Sequence, residues 1–484
     1  MAVQLDWSDS ITLDRSSNLP MAEQLATVLG DRIAAGLAAA GSRLPTTREL
    51  AARLGINRGT VQAAYRRLQE AGLADGRVGS GTVVRLSSHS PAEFDPETLL
   101  SARVARLSPE ASSPGSSHAI ADFSRLTPDE RFFPLDEFMR TLSEAWARRH
   151  DLWQYAPPLG LEELRREISR RLAAHGVERG PEQILVTSGA QQGLDLLFRA
   201  FADPGDVVAM ESPTYSGALA LARFAGVEVL PLPMEGDGPD ARPLVGRRAK
   251  LVYTMPERQN PTGVTATEAR RQKLLEATVS SGALLVEDGY EEPESGLVPL
   301  TAKLPERTVW LGTLSKDLVP GLRIGWLAGP SGIIETLARV KKTADFQTPL
   351  PLQAAIAEFL RAGADRRARR SRVLDVEARR IAAVRALKIH LPEVSWWGGE
   401  VGNPLFWLHL PGSLSGRRVA ESAAARGVGV APGADFDTRG QDSANLRLSV
   451  SRVDKRCVDQ GIRVLSETVR AVAAASGSRA LPVV

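Results

Sequence analysis

The sequence predicts an α/β protein in two unequal parts: a small helical module ending in a β hairpin, and a much larger domain built on a mostly parallel sheet. Three observations predict it. The 484 residues exceed what one hydrophobic core organises. Apolar residues recur at helical spacing before residue 70 and are followed by Gly-rich turns between short strand segments. After Asp122, short apolar runs alternate with helical stretches, the pattern of strands joined by crossover helices.

In the first part, Leu25, Val28, Leu29 and Ile33 fall on one face of a helix expected over residues 21–37. Thr46-Thr-Arg-Glu49 reads as a capping box after Pro45, with Leu50 and Leu54 turned inward and Gly55 as the C-terminal stop. Asn57-Arg-Gly-Thr60 caps the next helix, which runs through Val61, Ala64, Tyr65 and Leu68 to Gly72. Strand segments around Asp75-Gly76 and Gly79-Ser-Gly81 add a wing, so residues 1–85 read as a winged helix-turn-helix. Eight arginines lie between residues 43 and 85 against only Glu49, Glu70 and Asp75, while the whole chain carries a net charge of +3. This is the local positive field that a DNA-binding face requires. Arg58, Thr60 and Gln62, on the exposed first turns of the second helix of the pair, are placed to reach base edges in a major groove.

Residues 86–120 turn rich in Ser and Pro and read as a flexible linker, with a short helix near residues 99–107. Such a chain has an r.m.s. span of about 30 Å and an extended limit of roughly 110 Å, so it does not fix the geometry of the parts it joins. Residues 121–484 form the large domain. Strands are expected at 184–186, 207–210, 227–230, 251–253, 283–286 and 309–311. Beyond residue 342 a long Arg-rich helical segment leads to short strands at 405–410 and 446–450, a smaller C-terminal α+β lobe. The single cysteine, Cys457, excludes an internal disulfide and reads as structural, and no Cys or His spacing suits a metal. Neither a secretory segment nor an apolar run of roughly 18 residues is present, which points to a cytoplasmic protein with no membrane partner.

The chemistry concentrates around Lys316, one of eight lysines against fifty-two arginines, in the segment Gly312-Thr-Leu-Ser-Lys-Asp-Leu-Val-Pro-Gly-Leu-Arg-Ile-Gly325. Asp288 and Tyr290 follow one apolar strand, and Asn260 lies in Gln259-Asn-Pro-Thr-Gly263. Each signal alone is modest, since Asn-Pro-Thr-Gly by itself is only a turn. Their order, at the ends of successive strands, describes a pocket for pyridoxal 5'-phosphate. Lys316 supplies the amine for a Schiff base and Asp288 a carboxylate to keep the ring nitrogen protonated, while Asn260 and Tyr290 supply partners for the ring oxygen. Ser188, Gly189, Ala190 and Gln191 join a strand to a helix, where backbone amides and the helix dipole favour a phosphate. Thr313, Ser315 and Arg323 complete that cup, and Tyr215 is placed to stack on the ring.

On these motifs, residues 122–475 resemble the fold-type I aminotransferases, PLP-dependent transferases, and the whole chain is similar to the MocR subfamily of GntR-type regulators. The resemblance implies the roles just given. It further implies that Tyr155, in Tyr155-Ala-Pro-Pro-Leu-Gly160, reaches the phosphate held by a neighbouring subunit, making the protein a homodimer. It implies that Arg447, in Asn445-Leu-Arg-Leu-Ser449, binds an amino acid carboxylate bidentately. It also adds Arg48, and Gly79 and Gly81 of the wing, to the DNA-binding set, with paired half-sites read by the dimer. One departure matters. Many MocR proteins have a His-Gln-aromatic segment before Pro-Thr-Gly, whereas Arg258-Gln-Asn260 is closer to true aminotransferases.

The expected function is a PLP-dependent transcriptional regulator that senses an amino acid, an amine or PLP itself through aldimine exchange at Lys316. The alternative is an active aminotransferase carrying an ancillary DNA-binding domain.

Overall fold

The computed structural model describes residues 11–34, 37–38, 41–77, 81–85, 96–107, 120–290 and 295–475. It divides into two compact units, Met1–Leu100 and Ser101–Val484. The division falls inside the expected linker. In that stretch the anticipated short helix is two separate 3-10 turns, Pro96–Leu99 and Val104–Arg106.

In the first unit, α1 (Met21–Ala34), α2 (Thr47–Leu54) and α3 (Arg58–Glu70) precede the hairpin of β1 (Ala74–Arg77) and β2 (Gly81–Val84). Leu25, Leu29 and Ile33 of α1 are buried in one cluster with Leu50, Val61, Ala64, Tyr65 and Leu68. The helix starts are set locally. Thr46 Oγ1 accepts from the Glu49 amide at 3.2 Å while Glu49 Oε2 accepts from the Thr46 amide at 2.9 Å, the reciprocal pair of a capping box. Gly55 ends α2 with φ +62°, and Asn57 Oδ1 caps α3 by accepting from Gly59 at 2.8 Å. The Tyr65 hydroxyl donates to the Pro45 carbonyl at 2.7 Å and ties α3 to the turn before α2.

The second unit begins with β3 (Ala121–Asp122), α4 (Leu135–Arg148) and α5 (Glu162–Ala173). The large sheet comprises β4 (Ile184–Thr187), β5 (Val207–Ser212), β6 (Glu228–Glu235), β7 (Gly238–Pro239), β8 (Leu251–Thr254), β9 (Leu284–Gly289), β10 (Thr308–Thr313) and β11 (Gly325–Ala328), in spatial order β4-β11-β10-β9-β8-β5-β6-β7. Neighbours from β10 through β6 run parallel, and β11 runs antiparallel between β4 and β10. All six anticipated strands of this sheet are present. The antiparallel β11 is an addition: its four residues, Gly-Trp-Leu-Ala, are buried and too short to show a period of their own. Helices α6 (Ala190–Phe201), α7 (Ser216–Ala225), α8 (Glu268–Ser281) and the one-turn α9 (Leu300–Lys303) connect the strands. Buried Glu287 on β9 accepts the first amides of α9, from Leu300 at 3.0 Å and Thr301 at 2.6 Å.

After β11 come α10 (Ser331–Ala344), α11 (Leu350–Arg361) and the long Arg-rich α12 (Ala364–His390). The small lobe holds β12 (Ser395–Gly398), β13 (Leu405–His409), α13 (Gly416–Ala425), β14 (Val428–Gly429), β15 (Ala431–Pro432), β16 (Asn445–Ser449) and α14 (Lys455–Ala475). Its antiparallel sheet runs β12-β13-β16-β15, and β14 pairs in parallel with β3. The lobe is therefore closed by both ends of the unit, with Ala121 and Phe123 buried among Val428, Ile462 and Leu465.

Replacing Thr46 by Ala removes one side of the capping box and is expected to destabilise the first unit by about 1 kcal/mol. Hydrogen exchange of the α2 amides measures this, and unchanged exchange would show that the box contributes nothing there.

Candidate cofactor site and DNA-binding face

Parallel strands direct their carboxyl ends to one edge of a sheet, and the candidate residues of the second unit gather along that edge. Asp288 ends β9, Lys316 follows β10, the 188–191 segment follows β4, Tyr215 follows β5 and Asn260 follows β8. Arg447 is brought in from the small lobe on β16.

Asp288 is buried, and its Oδ2 accepts from the Tyr253 hydroxyl at 2.6 Å. Its Oδ1 is buried without a protein hydrogen-bond partner. Desolvation pushes the carboxyl up to about 6, against the smaller opposing effects of Tyr253 and of the Lys316 charge. A protonated ring nitrogen presented to Oδ1 would supply the missing donor and an opposite charge together, so this carboxylate fits the cofactor's pyridinium. Lys316 is half-buried, and its ammonium donates to the Leu126 carbonyl.

Asn260 and Arg447 are held by one another, Arg447 Nη1 donating to Asn260 Oδ1 at 3.0 Å. That bond turns the carboxamide so that its nitrogen is the group left to face an acceptor such as the ring oxygen. Arg447 also donates to the Ser124 carbonyl and lies 4.8 Å from the centre of the Phe436 ring, while its Nε is buried without a partner. Burial draws its guanidinium down to about 10. A carboxylate arriving there would meet a desolvated, still cationic fork. The Tyr290 hydroxyl donates to the Arg258 carbonyl at 2.5 Å.

The phosphate cup differs from expectation in one respect. The Ser188 amide is not turned outward with its neighbours but donates to Gln192 Oε1 at 2.8 Å. The amides of Gly189, Ala190 and Gln191 remain at the start of α6, where first-turn N–H groups have no acceptor within the helix. Gly189 holds φ +90°, and a Cβ there would lie 2.5 Å from an Arg323 guanidinium nitrogen. Arg323 Nη2 donates to the Ser188 carbonyl at 3.0 Å, which brings its charge to the loop. Thr313 is buried, its hydroxyl donating to the Ile324 carbonyl at 3.3 Å and accepting from the Ser315 amide at 3.1 Å. Tyr215 is half-buried with its hydroxyl 3.3 Å from Gln191 Oε1. Tyr155 stands apart from this cluster, 84% exposed against Phe346 at 5.7 Å between ring centres.

Residues not anticipated from sequence also support the site. Tyr253 sits within an apolar strand and reads there as core, yet it holds Asp288. Glu211 at the end of β5 is fully buried and pushed up to about 7 by desolvation. It accepts from Thr254 at 2.5 Å, from the Met255 amide at 3.0 Å and from Gln259 at 3.0 Å, fixing the turn that carries Asn260.

In the first unit, Arg48, Arg58, Gln62 and Gly81 are exposed and Thr60 is half-buried. Arg58 Nε donates to Thr47 Oγ1 at 3.3 Å, and Arg67 pairs with Glu23 at 3.0 Å. Gly79 lies outside the described residues.

Residues 21–84 match the family of bacterial regulatory proteins, gntR family, and residues 126–465 match aminotransferase class I and II. The chain is 31% identical over 475 residues to the uncharacterized HTH-type transcriptional regulator YisV of Bacillus subtilis, covering 94% of this chain and 97% of that protein. It is 33% identical to the probable rhizopine catabolism regulatory protein MocR of Rhizobium meliloti, covering 73% and 74% of the two chains. The chain belongs to the MocR-type regulators. Among solved structures, the α-aminoadipate aminotransferase LysN of Thermus thermophilus, complexed with N-(5'-phosphopyridoxyl)-L-leucine, matches with a TM-score of 0.71 at 27% identity, over 79% of this chain and 100% of that one. This MocR-type chain is therefore a GntR-type DNA-binding module fused to a fold-type I aminotransferase-like domain whose cofactor is pyridoxal phosphate. Among the described residues, no helix is long and apolar enough to cross a membrane.

Because the folded carboxyl of Asp288 titrates above its ordinary value, its contribution to stability is present below pH 4 and lost as pH rises through about 6. Cofactor-free Asp288→Asn is accordingly expected to exceed the parent in stability at pH 7, on the order of 3 kcal/mol. It is also expected to bind pyridoxal phosphate more weakly. Denaturant midpoints between pH 4 and 8 measure the first effect, and a parent whose stability rises across that window would contradict the assignment.

Proposed function

We propose that the protein is a homodimeric transcriptional regulator in which an amino acid or amine, taken up at the cofactor site, changes how the paired DNA-binding modules hold an operator. The observation that carries this is Asp288. Its unsatisfied buried oxygen marks a site built for a cationic ring, in a chain that also bears a DNA-binding module. Bound there, pyridoxal phosphate supplies an electrophilic carbon to which amines bond covalently and a ring that accepts electron density.

The chain's own residues then have distinct tasks. Lys316, whose ammonium donates to the Leu126 carbonyl, would supply the amine that holds the cofactor covalently and that an effector amine competes with. Asp288 would hold the proton of the ring nitrogen, with Tyr253 fixing the carboxylate's orientation. Asn260 and Tyr290 would face the ring oxygen, Tyr215 would cover the ring, and Gly189, Ala190 and Gln191, with the hydroxyls of Ser188, Thr313 and Ser315 and the guanidinium of Arg323, would hold the phosphate. Arg447 receives the carboxylate of an amino acid effector. Its position on the small lobe gives the ligand a different interaction with closed and open arrangements, which is the requirement for a ligand to shift a conformational equilibrium.

The homodimer is supported by a face of the second unit that exposes Leu135, Met139, Trp146, Trp153, Tyr155 and Phe346. Rings of this size standing in water are the signature of an interaction surface. Tyr155 on that face would complete the phosphate site of a second copy. Arg48, Arg58, Thr60, Gln62, Gly79 and Gly81 form the proposed DNA contacts, on paired half-sites.

Transaminase activity is the second function to test, because Asn260 and Arg447, the expected partners of a ring oxygen and of a substrate carboxylate, are both present and are hydrogen-bonded to one another at 3.0 Å. Turnover of an amino acid with 2-oxoglutarate above roughly 1 per second, ordinary for an enzyme, would favour it.

Operator binding by the parent is expected to respond to the effector amine, and Lys316→Ala is expected to abolish that response while leaving basal binding within about twofold. Mobility shift with and without amines measures it, and an unchanged response in the variant removes covalent sensing. Tyr155→Ala and Lys316→Ala, each weak in covalent cofactor retention, are expected to regain part of it when mixed, since one intact site forms per heterodimer. Absence of recovery in a mixed dimer would place Tyr155 outside the neighbour's site.

A further inference from the structure

A partly buried polar cluster, centred on a fully buried lysine, lies against the loop that opens α6. Lys341, near the end of α10, is fully buried. Its ammonium donates to Asp345 Oδ1 at 2.7 Å and Oδ2 at 2.8 Å, and to Gln192 Oε1 at 3.1 Å. Gln192 Nε2 donates to Asp345 Oδ2 at 2.7 Å, and Gln192 Oε1 also accepts the Ser188 amide at 2.8 Å. One carboxamide thus joins the ion pair to the loop.

We propose that Lys341 is a positioning residue for the phosphate cup: with Asp345 it locks the Gln192 carboxamide in the one orientation that holds the Ser188 amide, and so sets the loop for phosphate. The inference rests on the assignment of residues 188–191 to the phosphate.

An ammonium can only donate and a carboxylate can only accept. Lys341 therefore requires the oxygen of Gln192 and Asp345 requires its nitrogen, and a flipped carboxamide would lose both contacts and present N–H to the Ser188 N–H. The consequence reaches the cup because Ser188 immediately precedes Gly189, whose φ of +90° turns the chain into α6. With the Ser188 amide tied down from behind, the next amides are the ones turned forward. A second link runs from the same turn to the same residue. Past Asp345 the backbone turns at Phe346, with φ +62°, and Thr348 Oγ1 comes to 3.3 Å from Ser188 Oγ. Gln347, between them, accepts the Ala156 amide at 2.6 Å, beside Tyr155.

A purely structural role does not explain the charges. An apolar pair of the same volume usually holds helix packing as well as a buried ion pair, or better. What an apolar pair cannot do is tell the two ends of a carboxamide apart.

The test uses the cofactor-free full-length chain, titrated by absorbance and fluorescence with pyridoxal phosphate and, separately, with pyridoxal. Lys341→Met is expected to raise the Kd for pyridoxal phosphate about tenfold and leave that for pyridoxal within twofold. Gln192→Met, which keeps the ion pair, is expected to lose the same selectivity. Should Lys341→Met fail to fold because Asp345 is left unpaired, the double variant Lys341→Met/Asp345→Leu removes that charge and is expected to fold with selectivity still lost. A folded variant that keeps the parent's ratio of the two Kd values, or weakens both ligands equally, overturns the inference. A parent that does not prefer pyridoxal phosphate to pyridoxal instead overturns the assignment of the cup itself.

Discussion

Asp288 is a carboxylate buried where the protein supplies a partner for only one of its oxygens, and the large domain is organised around that deficit. Desolvating a carboxyl without full compensation is costly, and here the cost shows as a titration pushed up to about 6. A ligand that brings a proton and a positive charge relieves it. The residues around it are held by one another. Asn260 and Arg447 fix each other, Glu211 fixes the turn that carries Asn260, and the glycine at 189 lets Arg323 approach the start of α6.

The two lobes contribute unequal kinds of rigidity. Large-domain groups stand on the ends of parallel strands whose neighbours are buried, so they move little without disrupting the sheet. Arg447 stands on a four-stranded sheet packed on α12 and α14, and reaches the site through Asn260 and the Ser124 carbonyl. A carboxylate competing for that guanidinium would act on the contact between lobes as well as on its own binding, which is what the proposed effector role requires. A regulator needs the ligand to move something; an enzyme needs mainly that the pose be productive.

Much of this was legible along the chain. The capping box at Thr46, the C-terminal glycine at 55 and the N-cap at Asn57 carry their information within a few residues, so the helix-turn-helix could be read to within a turn. The motifs around Lys316, Asp288 and Asn260 were legible because a cofactor demands particular residue types after particular strands. Tyr253, Glu211 and Lys341 were not, because each lies in a sequence context typical of core or surface, and its meaning comes from a partner 35, 48 or 149 positions away. Strand β11 and the pairing of β3 with β14 were missed for a related reason, since four buried residues or two have no period to read.

The sequence by itself determined the fold class, the order of the two units, the cofactor and the residues at the strand ends, because local hydrogen bonding and strand periodicity are properties of neighbouring positions. Only the tertiary structure decided how those residues are held: that the Ser188 amide is bound by Gln192, that Arg447 orients Asn260, and that Asp288 keeps one oxygen unsatisfied. The physical reason is desolvation. A polar group's partners become decisive only once it is out of water, and which groups leave water together is settled by packing between segments far apart in the chain.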